Sequence, residues 1–200
     1  MIKVTLKDGS VREFNNNTDV ISIAKDISEG LARNVISAKF NNQTVETQSS
    51  LNSDGNIEFF TWDDDEGKKA FWHSSSHVMA QALQEMYPGI KLTIGPAIKN
   101  GFYYDVDLGE HKISETDFGK IENKMLEICR GKFDFNMRLV SKDEALDFYN
   151  NKKNNYKVEL IQELKDGEIS FCDHDTFTDL CKGGHIPNTS IIKAVKILNI

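Results

Sequence analysis

Two hundred residues leave room for one large domain or two small ones, and 39% hydrophobic with 28% charged residues is the make-up of a globular chain. A formal net charge of −7 excludes a general nucleic-acid binder acting through a broad basic surface. No apolar run nears the roughly 18 residues of a membrane span, and the opening MIKVTLKDGSVREF alternates apolar and polar residues where a secretory leader would be apolar. Cytoplasm is the expected compartment. Cys129, Cys172 and Cys181 are odd in number and unevenly spaced, which points to reduced thiols rather than a disulfide framework.

In chain order, Ile2 to Leu6 alternates as a strand, Asp8-Gly9 supplies a hairpin turn and Val11 to Phe14 returns. Thr18 is placed to cap a helix with Val20, Ile21, Ala24 and Ile27 on one face, and Gly30 is placed to stop it. Short strands follow at Val35 to Phe40, Gln43 to Val45 and Asn56 to Phe60, with turns at Asn41-Asn42 and Ser53-Asp54-Gly55. Hairpin, helix and further strands is the order of a β-grasp fold. The acidic run Asp63-Asp64-Asp65-Glu66-Gly67 marks a boundary, dividing the chain into residues 1–62 and 63–200. Its acids suit the first turn of the next helix.

That helix is predicted from Glu66 to Met86, before Pro88-Gly89. A hairpin, Lys91 to Ile98 and Phe102 to Leu108, turns at Asn100-Gly101. Ser114-Glu115-Thr116-Asp117 reads as a capping box for a helix with Phe118, Ile121, Met125 and Ile128 on one face. Phe133 to Val140 is a strand, and Ser141 caps a short helix. Strand-like runs at Glu168 to Asp173 and Ile191 to Ile200 flank a polar loop holding Cys181 and His185. The total is α+β with a largely antiparallel sheet in the second part. Between Arg130 and Lys157 seven basic residues face four acids, read as a solvated surface.

Two motifs carry chemistry. In His73-Ser74-Ser75-Ser76-His77, four-residue spacing on a helix sets both imidazoles on nearly one face. In Asp179-Leu180-Cys181-Lys182-Gly183-Gly184-His185, the glycines permit a tight turn. Each alone is a weak signal. Together they hold four of the chain's eight His and Cys residues, which suits either a tetrahedral zinc site or a metal-free polar pocket.

The run HSSSHVMAQALQEMYPGIKLTIGPAIKNGFYYDVD, followed by YKVEL and then DLCKGGHIPNT, resembles the editing domain of bacterial-type threonyl-tRNA synthetases. The first sixty residues resemble the TGS module, a β-grasp unit, that precedes it. Where the family usually has Cys-Arg-Gly-Pro-His, this chain has Cys181-Lys182-Gly183-Gly184-His185, losing a guanidinium fork and a rigid turn. The resemblance implies hydrolysis of the ester in serine mischarged onto threonine tRNA. His73, His77, Cys181, His185 and Lys157 would form the catalytic set, with His73 the preferred proton shuttle. Asp179 would meet the substrate ammonium and Tyr104 would shape the wall against threonine's methyl. Cys181 as a covalent nucleophile is the less favoured route.

The resemblance further implies a pocket working without metal, with zinc on His73, His77, Cys181 and His185 as the alternative. ATP, magnesium and a separate zinc would belong to a catalytic core that these 200 residues lack. The expected partner is the 3′ end of threonine tRNA, bound weakly. The chain, expected to be cut short at its C-terminal end, would be a monomer, whereas the full-length enzyme would be a homodimer. Two alternatives stay open at this point: a free-standing trans-editing deacylase, and a non-catalytic tRNA-binding or regulatory module.

Overall fold

A computed structural model describes all 200 residues. The chain divides into two compact units, Met1–Phe71 with Gly183–Pro187, and Trp72–Lys182 with Asn188–Ile200.

In the first unit, β1 (Ile2–Thr5) and β2 (Val11–Phe14) form the predicted hairpin in the register Ile2↔Phe14 to Thr5↔Val11. Its turn closes through Leu6 and Ser10 with Gly9 at φ 84°. After β3 (Thr18–Asp19) come α1 (Val20–Ile27), α2 (Glu29–Asn34), β4 (Ser37–Phe40), β5 (Gln43–Val45), β6 (Ser50–Leu51) and β7 (Gly55–Phe60). The sheet order is β2-β1-β7-β4-β5, with β1 and β7 parallel and the other pairs antiparallel. Val20 and Ile23 of α1 pack with Ile2, Val4, Ala38, Leu51 and Ile57 into one apolar core. This is a β-grasp. Asn41 and Asn42, both at positive φ, form the β4–β5 turn, where a short amide side chain tolerates the left-handed region.

Three local expectations are corrected. Thr18 does not cap α1: it is engaged in β3 pairing with Leu51, and the Asp19 carboxylate accepts the Ser22 N–H at 2.7 Å instead. The buried face is Val20, Ile23 and Ala24, with Ile21 only partly covered. Gly30 does not stop the helix. Ser28 ends α1 and its hydroxyl caps α2 through the Leu31 N–H, so Gly30 falls inside a second helix. Replacing Asp19 with Ala is expected to lower stability by about 1 kcal/mol, read in urea denaturation, because a helix donor loses its acceptor.

In the second part of the chain, α3 runs Asp65–Met86. Small side chains let it be buried nearly all round from Ser74 to Leu83, including Ser74, Ser75, Ser76 and His77. The expected hairpin is present but broken into two pairs. β8 (Lys91–Leu92) pairs with β11 (Val106–Asp107), and β9 (Ala97–Ile98) with β10 (Gly101–Phe102). The two registers differ by one residue, so the strands bulge between them. Tyr104 lies in that break, its ring over Gly95, where a Cβ would stand 2.1 Å from Cδ2.

The capping box at Ser114 and Asp117 forms, but it starts a 3₁₀ turn at Glu115–Asp117 before α4 (Phe118–Arg130), which buries Phe118, Ile121, Met125 and Ile128 as expected. Then follow β12 (Asn136–Leu139), α5 (Lys142–Asn151), α6 (Asn155–Glu163), β13 (Ser170–His174) and β14 (Phe177–Leu180), with an antiparallel sheet in the order β12-β13-β14. Helix α6 and strand β14 were not expected from the sequence. Ile191 to Ile200 is not a strand: after a 3₁₀ turn at Thr189–Ile191 it joins no ladder, and the Ile197 N–H is taken by the Glu122 carboxylate. The basic residues between Arg130 and Lys157 are not simply solvated. Arg138 bridges Glu144 and Asp173, Lys142 donates to the Gln162 and Leu164 carbonyls, and Lys152 lies over the Phe148 ring.

Candidate functional site

Strand β14 sets the chemistry of the second unit because its alternation turns Asp179 inward. Asp179 is 3% exposed, and its carboxylate is the hub of a buried network. Lys157 Nζ lies 2.6 Å from one oxygen, which also accepts from Tyr149 Oη at 3.0 Å. Tyr104 Oη donates to the other oxygen at 2.7 Å, and His77 Nδ1 stands 3.7 Å from it. Lys157 reaches this point because Asn154 caps α6. The Asn154 side chain accepts the Lys157 N–H and donates to the Leu92 carbonyl, fixing the first turn with the lysine inward.

The electrostatics follow from burial and partners. Burial pushes the Asp179 carboxyl up, but the Lys157 and His77 charges and the donated hydrogen bonds outweigh it and hold the group below the usual carboxylate range. Burial, then the Asp179 charge, raises the Tyr104 and Tyr149 phenols well above their ordinary value. Both therefore stay neutral donors.

At the end of β14 the Cys181 N–H donates to the Ser170 carbonyl, and the Ser170 hydroxyl donates to the Cys181 carbonyl. The backbone of Cys181 is thus tied to β13, and its Sγ lies 3.1 Å from His73 Nε2. The His73 and His77 rings meet edge to face at 4.8 Å. Ser76 Oγ lies 2.7 Å from both the His73 and Gly95 carbonyls, tying the helix to the segment before Tyr104. The helix-borne imidazoles and the thiol therefore share one location. The donor atoms of His73, His77 and Cys181 lie within 4.8 Å of one another, a His/Cys group of the kind that can hold a metal ion. Nitrogen and sulfur donors in this number suit tetrahedral zinc. The other two cysteines are buried and free, and burial pushes the Cys129 thiol up to about 11.

His185 lies in the segment that belongs to the first unit. There the Glu46 carboxylate accepts the backbone N–H groups of Gly184 and His185 and faces His185 Nδ1 at 3.1 Å. Gly183 and Gly184 both adopt φ near +90°. Position 184 thus admits no proline: the ring fixes φ near −65° and would remove the N–H that Glu46 accepts.

The sequence alone did not identify Tyr149, Glu46, Ser170 or His174. His174, buried on β13, has its ring 4.8 Å from Phe135 and 5.2 Å from Phe177. A Tyr on an amphipathic helix or a Glu after a short strand reads as ordinary packing or surface, and nothing in their spacing marks them.

Residues 2–61 match the model of the TGS domain, and residues 169–200 match that of the threonyl and alanyl tRNA synthetase second additional domain. The whole chain is 67% identical to a threonine--tRNA ligase of Flavobacterium johnsoniae, 64% to one of Flavobacterium psychrophilum and 47% to one of Cytophaga hutchinsonii. In each case it covers 31% of the relative's length.

Proposed function

We propose, from the premise that all 200 residues belong with the N-terminal region of the threonine--tRNA ligase family, that this chain removes wrongly attached serine from threonine tRNA by hydrolysing the aminoacyl ester. We assign residues 1–62 to a TGS domain and 63–200 to the editing domain. The observation that carries the reading is the meeting of His73 with Cys181 at 3.1 Å in the unit that also buries the Lys157–Asp179 pair.

The chemistry explains why such a site is needed. Serine lacks one methyl of threonine, a difference worth about 1–3 kcal/mol in a binding pocket, which is too little for accurate translation. A second site that admits the smaller side chain corrects the error. Water attacks the ester carbonyl as His73 takes its proton. The carbonyl–ribose oxygen bond then breaks, and the proton returns to the departing ribose hydroxyl, leaving free serine and intact tRNA. Lys157 offsets the developing negative charge. His73 and His185 position the ribose and the water, and His77 lines the pocket. Asp179 supplies the negative charge that an α-ammonium meets, and Tyr104, seated against Gly95, forms the wall that excludes the extra methyl. Cys181 lines the pocket as a polar contact for His73 rather than as a nucleophile, so Cys181→Ala retains most of the deacylation rate.

The His/Cys donor set favours a second reading in which zinc holds the pocket's geometry, with His73, His77, Cys181 and His185 as ligands and a Lewis-acidic ion as its contribution. Metal content of protein purified without chelator separates the two.

No helix is long and apolar enough to cross a membrane, and the site of action is taken to be the cytoplasm, at the 3′ end of threonine tRNA. Amino-acid ligation, with its ATP, magnesium and zinc, is assigned to the rest of the relatives' length. Dimerisation is assigned there too, leaving this chain a monomer. The decisive experiment mixes the chain with threonine tRNA carrying serine or threonine and with alanine tRNA carrying alanine. Selective loss of serine supports this function. Loss of alanine supports a free-standing deacylase instead, and no loss supports a non-catalytic binding module.

A further inference from the structure

We infer that Glu46, a residue of the β-grasp unit, is a positioning residue for His185, fixing its tautomer and the turn that carries it. The inference rests on the editing function proposed above only for its kinetic consequence.

One carboxylate makes three contacts with two consecutive residues. Glu46 Oε1 accepts the Gly184 N–H at 2.8 Å and lies 3.1 Å from His185 Nδ1, while Oε2 accepts the His185 N–H at 3.1 Å. The His185 side chain is fully buried and that of Glu46 is 13% exposed, so water competes little for these bonds. An ionised carboxylate has no proton to give. Its contact with Nδ1 therefore places a hydrogen on that nitrogen, so that whenever the ring is neutral the lone pair is on Nε2. A carboxylate behind an imidazole sets both tautomer and orientation, and its removal from such an arrangement typically costs about 10–100-fold in activity.

The surrounding residues fit this assignment. Glu46 follows β5, and its own carbonyl accepts the Ser49 N–H, so its backbone is held in a turn. Gly184 at φ 90° turns its N–H to the carboxylate, which a residue without an N–H could not do. Gln48 reaches the Pro187 carbonyl at 3.4 Å, two residues beyond the imidazole. Glu46 and His185 lie in the same compact unit, so the β-grasp residues supply a specific group to the Gly183–Pro187 segment.

The test uses the full 200-residue chain with Glu46→Gln, which keeps shape and loses charge, and Glu46→Asp, which keeps charge on a shorter arm. Long-range nitrogen-15 NMR of the imidazoles reads the His185 tautomer independently of any activity. Steady-state deacylation of serine-charged threonine tRNA gives kcat and KM separately. The expected result is a His185 signature of the Nδ1–H tautomer that is lost in Glu46→Gln and kept in Glu46→Asp. With it, kcat should fall about 10-fold or more in Glu46→Gln while KM changes less than about threefold, with partial recovery in Glu46→Asp. An unchanged His185 signature in Glu46→Gln overturns the inference, whatever the kinetics. An altered signature with unchanged kcat also overturns it. If the unsubstituted chain releases no serine, the editing function fails, and the nitrogen-15 spectra alone decide the tautomer assignment.

Discussion

Deacylation of serine-charged threonine tRNA by the His73→Gln chain is expected to fall by about 10²–10⁴-fold, with little change in the thermal midpoint. His73 is only partly buried, so its replacement leaves no large cavity. The magnitude is that of a positioned proton acceptor, since removing it leaves only substrate binding and charge stabilisation to act on the ester. The comparison with Cys181→Ala sharpens the test, because the two side chains touch at 3.1 Å. A structural role for the contact predicts similar, modest losses from either replacement. A proton-transfer role for the imidazole predicts a large loss from His73→Gln alone. Rates for both variants, measured beside their denaturation curves, discriminate the two.

Lys157→Met is expected to lower the stability of the second unit by about 3–5 kcal/mol at neutral pH. It keeps the apolar stem but strands the Asp179 carboxylate, 3% exposed, without its ammonium at 2.6 Å. The pH dependence has a definite sign. In the unsubstituted chain the Asp179 pKa is depressed, so its stabilising contribution is present above the unfolded carboxylate value, roughly 3.9, and is lost as pH falls through the lower folded value. Without Lys157, burial is the dominant influence and raises the carboxyl pKa, so the variant gains stability as the pH falls toward the unfolded value. The gap between the two chains should therefore be widest near neutrality and narrow on acidification. Urea denaturation at a series of pH values reads this directly, and a gap that stays constant with pH would show that the Lys157 charge is not what Asp179 requires.

The two parts of the candidate site differed in how clearly the sequence marked them. His73, His77, Cys181 and His185 stood out by residue type and spacing, since histidines and cysteines are few and their clustering is local information. Helix α3 fixed the first pair through its 3.6-residue period alone. The supporting groups were silent. Tyr149 lies 30 residues from Asp179 and Glu46 lies 139 residues from His185, and the contacts between them follow from strand order and loop path, which no local pattern encodes.

The fold divides in the same way. Local chemistry was enough for the β1–β2 hairpin, the Asn41-Asn42 turn, α3, the capping box at Ser114 and the buried face of α4, because each depends on residues within one or two turns of chain. Tertiary structure decided what depended on partners. Asp19 rather than Thr18 caps α1 because Thr18 is committed to Leu51 across a β-pair. The run from Ile191 to Ile200 has the composition of a strand but finds no ladder edge to pair with, and a strand without a partner leaves its backbone groups to water and to Glu122. Lys157, which charge pattern alone grouped with solvated cations and only the family resemblance set apart, is buried because Asp179 on a distant strand offers an opposite charge and Asn154 fixes the helix that delivers it. Sequence by itself singled out the histidines and the cysteine as candidates, by residue type and spacing. Only the folded chain determined their charge state, orientation and support, because those depend on a low-dielectric interior and on groups far apart along the backbone.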